Sequence, residues 1–513
     1  MTLAPEATRS GGDPTDTIGP AGRRTALVLG LLLITTAHLI NLTGWPIFGD
    51  DEGTYTAQAW AVLQGELAHY TYWYDHPPAG WIQLAAWLAL PDLVGVGVTV
   101  ATARVVMVAY AVITALLVYR LARQVGLGFG TGLATMLLWG LSPLVIFESR
   151  QVLLDNLQLP WLVGSFVLAT TSTRRLWAHV GSGACFGVAV LTKETGLLLA
   201  PALLLAVWTY AYRPVRMFST VGATVAMALT GVVYPLFALL KGELTSGPGH
   251  VSLQDAVAFQ LVARVGSGAL WDPTSAARAV VAGWLGHDPV LPVAGLAAGI
   301  VCLCWRQSRP IGLALATSAV VGLRPDGYLP NMFVIATLPF AAVALGVVIE
   351  RSSRAVGRLG ISQVLRSSVI GGVAVAAAIT VAVIWAPRYP AMYGSVPNVD
   401  FRAAVSYLSA TAPRDSRVLV DDAYWTSLVD RGWASDGWRG AIWYYKLDLD
   451  PIARSEGLPG GWRDIDYLIA NDQIRNGVAG PEYAQLRAAY EHSVVLASWG
   501  AGERLIEVRR VVG

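Results

Sequence analysis

Long apolar runs separated by short polar loops dominate the first 387 residues of the chain. A helix that crosses a bilayer needs about 20 mostly apolar residues. A further apolar run, residues 79–91, is only about 13 residues long, which is typical of a helix lying in or on the outer leaflet. The pattern predicts eleven membrane-spanning helices, at 25–44, 101–119, 128–147, 156–172, 176–192, 196–212, 217–240, 289–305, 310–323, 332–349 and 367–387.

Basic residues are concentrated in alternate loops of this scheme. Cytoplasmic loops of membrane proteins carry an excess of lysine and arginine. The sequence therefore predicts a multi-pass protein of the plasma membrane with a cytoplasmic N-terminus and an extracytoplasmic C-terminus. With eleven spans, one side of the membrane holds the clusters Arg23/Arg24, Arg120/Arg123, Arg174/Arg175, Arg213/Arg216, Arg306/Arg309 and Arg351/Arg354/Arg358/Arg366.

The pattern divides the chain into three parts. Residues 1–24 are polar and rich in Gly and Pro, which predicts a disordered cytoplasmic segment, and residues 25–387 form the transmembrane part. Residues 388–513 have soluble patterning and predict an extracytoplasmic α/β domain. Helices are expected at 401–409 and from Pro481, where a missing N–H is harmless in the first turn. Strands are expected at 417–420, 465–470, 494–497 and 505–508.

Composition excludes several classes of protein. Hydrophobic residues make up 54% of the 513 residues and charged residues 14%, with mean hydropathy +0.52. Soluble domains carry about 25% charge, so the bulk of the chain is not a soluble globular enzyme. A net charge of +2 offers no case for a nucleic-acid partner. The three cysteines lie in apolar runs and predict neither a disulfide framework nor a metal site.

Polar residues cluster at the outer ends of the predicted spans rather than at their centres. Ion-coupled transporters place ionisable groups near the membrane midplane, so this distribution argues against a transporter. The carboxylates could take a proton from a hydroxyl, and the cations suit a phosphate; solvated loops, local ion pairs and an aromatic interface belt are the alternative interpretations. The clusters are Asp50-Asp51-Glu52, Tyr72-Trp73-Tyr74-Asp75-His76, Glu148-Ser149-Arg150 with Asp155, Lys193-Glu194, and Arg324 to Tyr328.

Four of these motifs, in this order, carry a resemblance to a known family. They are Asp51-Glu52 after the first span, His76-Pro77-Pro78, Ser149-Arg150 with Asp155, and Thr192-Lys193. Over roughly residues 25–350 the chain resembles the polyprenyl-phosphate-dependent glycosyltransferases of the GT-C fold. The branch concerned contains the protein O-mannosyltransferases and the aminoarabinose transferase of lipid A.

The resemblance implies an inverting hexosyl- or pentosyltransferase that uses a polyprenyl-phosphate sugar donor in the lipid membrane. The acceptor is a hydroxyl of a protein, a lipid or a cell-wall polysaccharide. Asp51 is then the general base, Glu52 positions Asp51 or the acceptor, and Asp155 orients the acceptor or holds Arg150. In some relatives a divalent metal ion is bound, which corresponds here to Asp75 and His250. The donor phosphate would be bound by His76, Arg150, Lys193, Arg324 and Tyr328.

Two functions of other classes remain open at this stage. A transporter or flippase of lipid-linked sugars would move its substrate across the membrane without forming a covalent product. A non-catalytic assembly protein of the cell envelope would carry the same polar face without activity on any lipid-linked sugar.

Overall fold

The computed structural model describes residues 19–171, 176–325, 327–358, 362–435 and 437–512. Three features of the sequence analysis lie outside these ranges. They are residues 1–18, which were predicted to be disordered, the basic pair Arg174 and Arg175, and Asp326. Residues 20–24 were expected to be disordered, but they form the first turns of a helix that begins at Pro20. Proline is compatible with the first turn of a helix because its missing N–H would be unpaired there.

Helices form the part of the chain before residue 388. Each of the eleven predicted runs overlaps at least one of them. The helices are α1 (Pro20–Leu39), α2 (Asp50–Leu63), α3 (Ala79–Leu93), α4 (Val100–Gln124), α5 (Phe129–Gly140), α6 (Pro143–Ser149), α7 (Leu154–Ala169), α8 (Leu176–Thr192), α9 (Ala200–Tyr210), α10 (Arg216–Gly231), α11 (Val233–Leu240), α12 (Leu253–Ala258), α13 (Ala276–His287), α14 (Gly295–Cys302), α15 (Arg309–Gly322), α16 (Leu338–Gly357) and α17 (Gln363–Trp385).

Several of these helices are long and apolar enough to cross a membrane. Within the described residues, four segments qualify by length and composition: Val100–Gln124, Arg213–Leu240, Asn331–Gly357 and Gln363–Trp385. Two bent helix pairs raise this number to six if each pair is one span. In α17, no residue of the most apolar window is buried inside the protein, so this helix offers its whole surface to lipid. The count of eleven spans remains a prediction.

One predicted span is broken, and another begins directly after a sharp bend. The run 128–147 is divided into α5 and α6, which meet at 58°, and the run 289–305 begins after a 108° bend that follows α13. Both breaks precede a proline, which cannot supply the helical N–H. Ser142 Oγ donates a hydrogen bond to the buried Asp288 carboxylate (2.6 Å), which also accepts from Trp385 Nε1 (2.9 Å). Polar side chains at the two breaks are therefore paired with each other by the hydrogen bond from Ser142 to Asp288.

The chain after residue 388 forms a mixed sheet with helices. The sheet order is β2-β1-β3-β5-β4; β1 is parallel to β2 and β3, whereas β5 is antiparallel to β3 and β4. The predicted strands are all found, whereas β2 was missed and the helix expected from Pro481 begins only at Ala484. The elements are α18 (Tyr389–Gly394), α19 (Asn398–Thr411), β1 (Val418–Val420), α20 (Asp422–Val429), β2 (Ala441–Trp443), α21 (Lys446–Leu449), β3 (Tyr467–Ala470), α22 (Asp472–Ala479), α23 (Ala484–Glu491), β4 (Ser493–Trp499) and β5 (Ile506–Val511).

Helix α2 packs directly against α20 of this sheet region. The contact is close at Gly53, where an added Cβ would lie 2.1 Å from the backbone carbon of Asp422. Since backbone cannot move aside as a flexible side chain can, only glycine permits this approach. The N-terminal end of α2 is thereby held beside the C-terminal end of β1.

Candidate active site

Three consecutive acids begin α2. Gly49 precedes them at the N-cap, and its N–H donates to Glu52 Oε1 (3.1 Å), which is the half of a capping box that the residue at N3 provides. Negative charge at a helix N-terminus is stabilised by the helix dipole. Asp50 and Asp51 are half-buried, whereas Glu52 is buried. The three acids therefore occupy different environments although they are neighbours in sequence.

Glu52 forms a buried ion pair that sequence reasoning missed. Arg104 of α4 donates from Nε to Glu52 Oε2 (2.8 Å) and from Nη2 to Glu52 Oε1 (2.6 Å), and both side chains are about 1% exposed or less. The N–H of Val152 also donates to Glu52 (2.9 Å). Because its oxygens are occupied inside the protein, Glu52 fixes α2 and with it Asp51, which agrees with the first of its two predicted roles; direct positioning of the acceptor is not supported.

Replacing Glu52 by Gln is expected to destabilise the protein strongly. Breaking a buried ion pair leaves an uncompensated charge and costs about 3–5 kcal/mol, here on Arg104. Thermal unfolding of the purified protein would measure the loss, with the exposed Glu66→Gln as control. Equal melting temperatures for Glu52→Gln and the wild type would contradict the assigned role.

Asp51 has the only unengaged carboxylate of the three. No hydrogen bond or ion pair to its side-chain oxygens is found in the described part of the chain, whereas Asp50 accepts from Gln473 Nε2 (3.0 Å). Burial, followed by the charge of Asp50, raises the pKa of Asp51 to about 6, and Lys193 and His76 oppose the rise. A carboxylate that is open and more basic than usual suits proton abstraction near neutral pH.

A chain of four charged or polar side chains lies beside Asp51. Lys193 Nζ is 3.0 Å from His76 Nε2 and 3.9 Å from Asp155 Oδ2, and His76 Nδ1 is 3.0 Å from Glu194 Oε2. Because an ammonium only donates, Nε2 of His76 accepts and Nδ1–H donates to Glu194. The pKa of Lys193 is raised: burial lowers it, but Asp155, Glu194 and Asp51 outweigh burial. The remaining N–H groups of Lys193 can donate hydrogen bonds to a bound anion.

Local structure holds each member of this chain. His76 lies in the turn before α3, and its carbonyl accepts from the hydroxyls of Tyr72 (2.6 Å) and Tyr234 (3.2 Å). Two residues earlier, the backbone of Tyr74 has φ +55°, a conformation that residues other than glycine rarely adopt. Lys193 follows the last residue of α8, where Gln158 Nε2 donates to its carbonyl. The turn before α3 and the end of α8 thus place the side chains of His76 and Lys193 in contact with each other.

The structure contradicts a phosphate-binding role for Arg150. Its side chain is fully buried, and its two terminal nitrogens donate to backbone carbonyls, among them Ala37 (2.9 Å) and Ile40 (2.6 Å) at the end of α1. The guanidinium also lies between the rings of Trp45 and Tyr393. With its charge used to hold these segments together, Arg150 has no surface for a ligand, and it does not contact Asp155 in the described structure.

Arg324 and Tyr328 are exposed and lie on the loop before α16. Arg264 stacks on the Tyr328 ring at 3.5 Å, and Asn331, three residues after Tyr328, donates to Glu148 Oε1 (2.7 Å). Neither Arg324 nor Tyr328 contacts Lys193 or His76 within the residues that the structure describes. Their predicted contact with a donor phosphate stays a prediction.

The predicted metal ligands do not form a ready-made metal site. Asp75 is exposed, and both ring nitrogens of His250 face carbonyls of its own loop, those of Pro248 (3.2 Å) and Thr245 (3.3 Å). Over the described ranges, no group of three or more His, Cys, Asp or Glu side chains could hold a metal ion.

Other functional side chains carried weak signals in sequence. Arg104 stands alone inside an apolar run, where an arginine requires a buried partner. Glu194 is adjacent to Lys193, which suggested a local pair rather than a contact with His76. Asp421 and Asp422 lie in a segment without any assigned motif, yet Thr54 of α2 and Tyr445 donate to Asp422 Oδ2.

Part of the chain matches a known sequence family. Residues 75–236 match the sequence model of the family described as dolichyl-phosphate-mannose-protein mannosyltransferase. That range contains His76, Asp155 and Lys193 but not Asp51. No curated protein sequence matches the chain.

Solved structures are similar over nearly the whole chain. ArnT from Cupriavidus metallidurans bound to undecaprenyl phosphate superposes with a TM-score of 0.58 at 14% identity, covering 96% of this chain and 98% of ArnT. The oligosaccharyltransferase of Archaeoglobus fulgidus in its apo form gives 0.54 at 13% identity, covering 91% and 71%. AglB from the same organism, in complex with an inhibitory peptide and a dolichol-phosphate, gives 0.53 at 13% identity, covering 94% and 74%.

These likenesses establish the fold. The low identities leave the donor, the acceptor and the roles of single residues to be argued from the site itself. The chain is a helical membrane protein of the GT-C fold, and its predicted resemblance to the polyprenyl-phosphate-dependent glycosyltransferases of that fold is confirmed.

Proposed function

We propose that the protein is an inverting glycosyltransferase that moves a hexosyl or pentosyl group from a polyprenyl-phosphate donor to a hydroxyl acceptor. One observation carries the proposal: the unengaged carboxylate of Asp51 lies one helical turn before Tyr55, whose ring is 6.2 Å from the ring of His76, and His76 in turn contacts Lys193 (3.0 Å). A base and an anion-binding group thus lie side by side, as this reaction requires. The family match over residues 75–236 supports the same reaction class.

In the proposed step, Asp51 accepts the proton of the acceptor hydroxyl. The acceptor oxygen forms a bond to C1 of the sugar as the bond between C1 and the phosphate oxygen breaks, which inverts the anomeric carbon. The electron pair of the broken bond leaves with polyprenyl phosphate. Lys193 donates to that phosphate as its charge grows, an interaction stronger in the transition state than before it.

The remaining members of the cluster act on Lys193. His76 accepts a hydrogen bond from Lys193 Nζ and itself donates to Glu194. One N–H of the ammonium group is therefore held in a fixed direction. Asp155, at 3.9 Å, keeps the lysine charged without a direct hydrogen bond at that distance. We therefore assign His76, Glu194 and Asp155 as positioning residues for Lys193.

The membrane orientation is part of the proposal. We infer that the N-terminus is cytoplasmic and that the site, with residues 388–513, lies outside. The arginine-rich loops support this orientation, and a base and a phosphate site at the outer ends of the helices fit a donor presented in the outer leaflet.

Labelling of single cysteines tests the orientation. The native Cys304 is exposed and lies at the end of the predicted span 289–305, two residues before Arg306 of a predicted cytoplasmic loop, so an impermeant maleimide should modify it only after the membrane is permeabilised. Asn476→Cys on the exposed side of α22, in a Cys304→Ser background, should react in intact cells. Labelling of both positions from the same side would contradict the eleven-span scheme.

The activity is tested with the purified protein and a panel of radiolabelled polyprenyl-phosphate sugars, with cell-envelope extract as acceptor. We expect a covalently labelled product together with release of polyprenyl phosphate, and the same assay with a chelator tests metal dependence. Movement of the labelled lipid across vesicles without a covalent product would identify a flippase. Absence of both results with every donor would favour a non-catalytic protein.

A further inference from the structure

The carboxyl-terminal edge of the parallel strands faces α2. In open sheets of parallel strands, ligands bind in the crevice outside the carboxyl ends. Strands β2, β1 and β3 are parallel neighbours, so the residues that follow them share one edge. These residues are Asp421 and Asp422 after β1, Tyr444 and Tyr445 after β2, and Asn471 with Gln473 after β3.

This edge is joined to the catalytic helix by direct hydrogen bonds. Gln473 Nε2 donates to Asp50 Oδ2 (3.0 Å), one residue before the proposed base. Tyr445 donates from its hydroxyl to Asp422 Oδ2 (2.9 Å), and Thr54 of α2 donates to the same oxygen. The sheet edge and the start of α2 therefore form two sides of one crevice.

The crevice has hydrogen-bonding capacity that the protein does not use. Asp422 is 1% exposed, and its Oδ1 has no partner among the described residues; the same holds for Nε1 of Trp73, whose ring lies 5.5 Å from that of Tyr445. Burial and then Asp421 raise the pKa of Asp422 well above its usual range. Asp50, Tyr445 and Trp73 are half-buried and Gln473 is exposed, so a ligand can reach these four residues, whereas the buried carboxyl group of Asp422 acts through the hydroxyl of Tyr445, which donates to it (2.9 Å).

The two sides of Asp51 differ in charge. Lys193 and His76 lie on one side, and carboxyl, carboxamide, phenol and indole groups lie on the other. Lys446 also lies on the second side, but it is buried against Asp450 (3.3 Å) and the Trp73 ring (3.7 Å). Its ammonium group is therefore not available to bind a ligand. A wall of acids and neutral polar groups favours hydroxyls and repels phosphates.

We propose that this wall, formed by Asp50, Trp73, Asp422, Tyr445 and Gln473, binds the acceptor, and that the acceptor is an uncharged polyhydroxylated glycan rather than a phosphate-bearing lipid. The inference rests on the proposed function and adds the acceptor class to it. Lys446 covers one face of the Trp73 ring; the rest of that half-buried ring and the ring of Tyr445 supply flat apolar surface for a sugar ring, and the polar atoms around them supply hydrogen bonds to its hydroxyls. Residues 388–513 thereby contribute directly to substrate specificity.

The first test is the variant Gln473→Ala, with Asn476→Ala as matched control on the same helix, since Asn476 donates only to Asp472 in the described structure. Loss of one hydrogen bond to the acceptor should raise the acceptor KM about three- to tenfold and leave the donor KM unchanged. A rise confined to the donor KM, or no change in either, would overturn the assignment of the wall to the acceptor.

The second test compares acceptors that differ in charge alone. Fluorescent manno-, galacto- and arabino-oligosaccharides are offered beside the terminally phosphorylated form of each, and both binding and transfer are measured. At least one neutral oligosaccharide should bind and be preferred, with weaker binding in Gln473→Ala. Preference for phosphorylated forms, or binding of no neutral form, overturns the inference. Binding of polyprenyl phosphate that depends on Lys193, measured in parallel, shows whether the proposed function stands when the acceptor inference fails.

Discussion

Asp51→Asn should lower kcat by about 10²–10⁴, the range that a general base contributes, while binding of polyprenyl phosphate is retained. Asparagine keeps the shape of the side chain but cannot accept the acceptor proton. Transfer from a radiolabelled donor measures the loss, and equilibrium binding of the product lipid shows that the site is intact. Wild-type turnover in Asp51→Asn would remove Asp51 as the base.

A matched control and a pH profile sharpen this prediction. Asp272→Asn, in an exposed loop where the carboxylate bonds only within its own turn, should leave turnover unchanged. Because a pKa of about 6 leaves Asp51 protonated in acid, kcat/KM of the wild type should fall tenfold for each pH unit below about 6. An acid limb centred near pH 4 instead would indicate that a different carboxylate titrates.

Lys193→Met should reduce both binding of polyprenyl phosphate and turnover, with a loss of about 10²–10³ in kcat, as for other groups that stabilise developing negative charge. Methionine fills the same space without a charge. Lys193→Arg should recover part of the activity, because it restores the charge but not the geometry of the contact with His76.

The alternative for Lys193 is a purely structural ion pair with Asp155. In that case Lys193→Met would lower the melting temperature without a specific effect on donor binding in the folded fraction. Lys241→Met is the matched control, because Lys241 pairs with Glu243 (3.0 Å) rather than with Asp155 or His76, and it should bind polyprenyl phosphate normally. Equal effects of the two substitutions on binding would contradict the proposed role of Lys193.

Apolar patterning predicts where helices lie because burial in lipid or protein requires apolar surface along a whole helix. It does not predict where helices break. The bend before Pro143 and the bend before Pro289 depend on the hydrogen bond between Ser142 and Asp288, which are 146 residues apart. Such a contact leaves no local pattern, so the predicted spans 128–147 and 289–305 were drawn as straight helices.

The site was predictable to the extent that its residues lie at the ends of apolar runs. Asp51, His76, Asp155 and Lys193 come together in the structure, and charge at the ends of spans was the signal. Arg150 carried the same signal but is used inside the protein, because an arginine has enough donors to hold several backbone carbonyls at once. Sequence position alone cannot distinguish these two uses.

The contribution of the last 126 residues could not be predicted from local sequence. Asp421, Tyr445 and Gln473 lie far apart along the chain and are united only by the parallel order of the strands that precede them. The order β2-β1-β3 depends on pairing over long distances, and β2 itself is only three residues long. A sheet edge of this kind becomes visible only when the strand order is known.

A structure of the protein with bound polyprenyl phosphate tests the central claim most directly. The account predicts the phosphate at hydrogen-bond distance, about 3 Å, from Lys193 Nζ and beside His76, with the lipid tail leading into the outer leaflet and Asp51 facing the open side of the phosphate. A phosphate bound on the arginine-rich face at the opposite ends of the helices, or remote from Asp51, would contradict it.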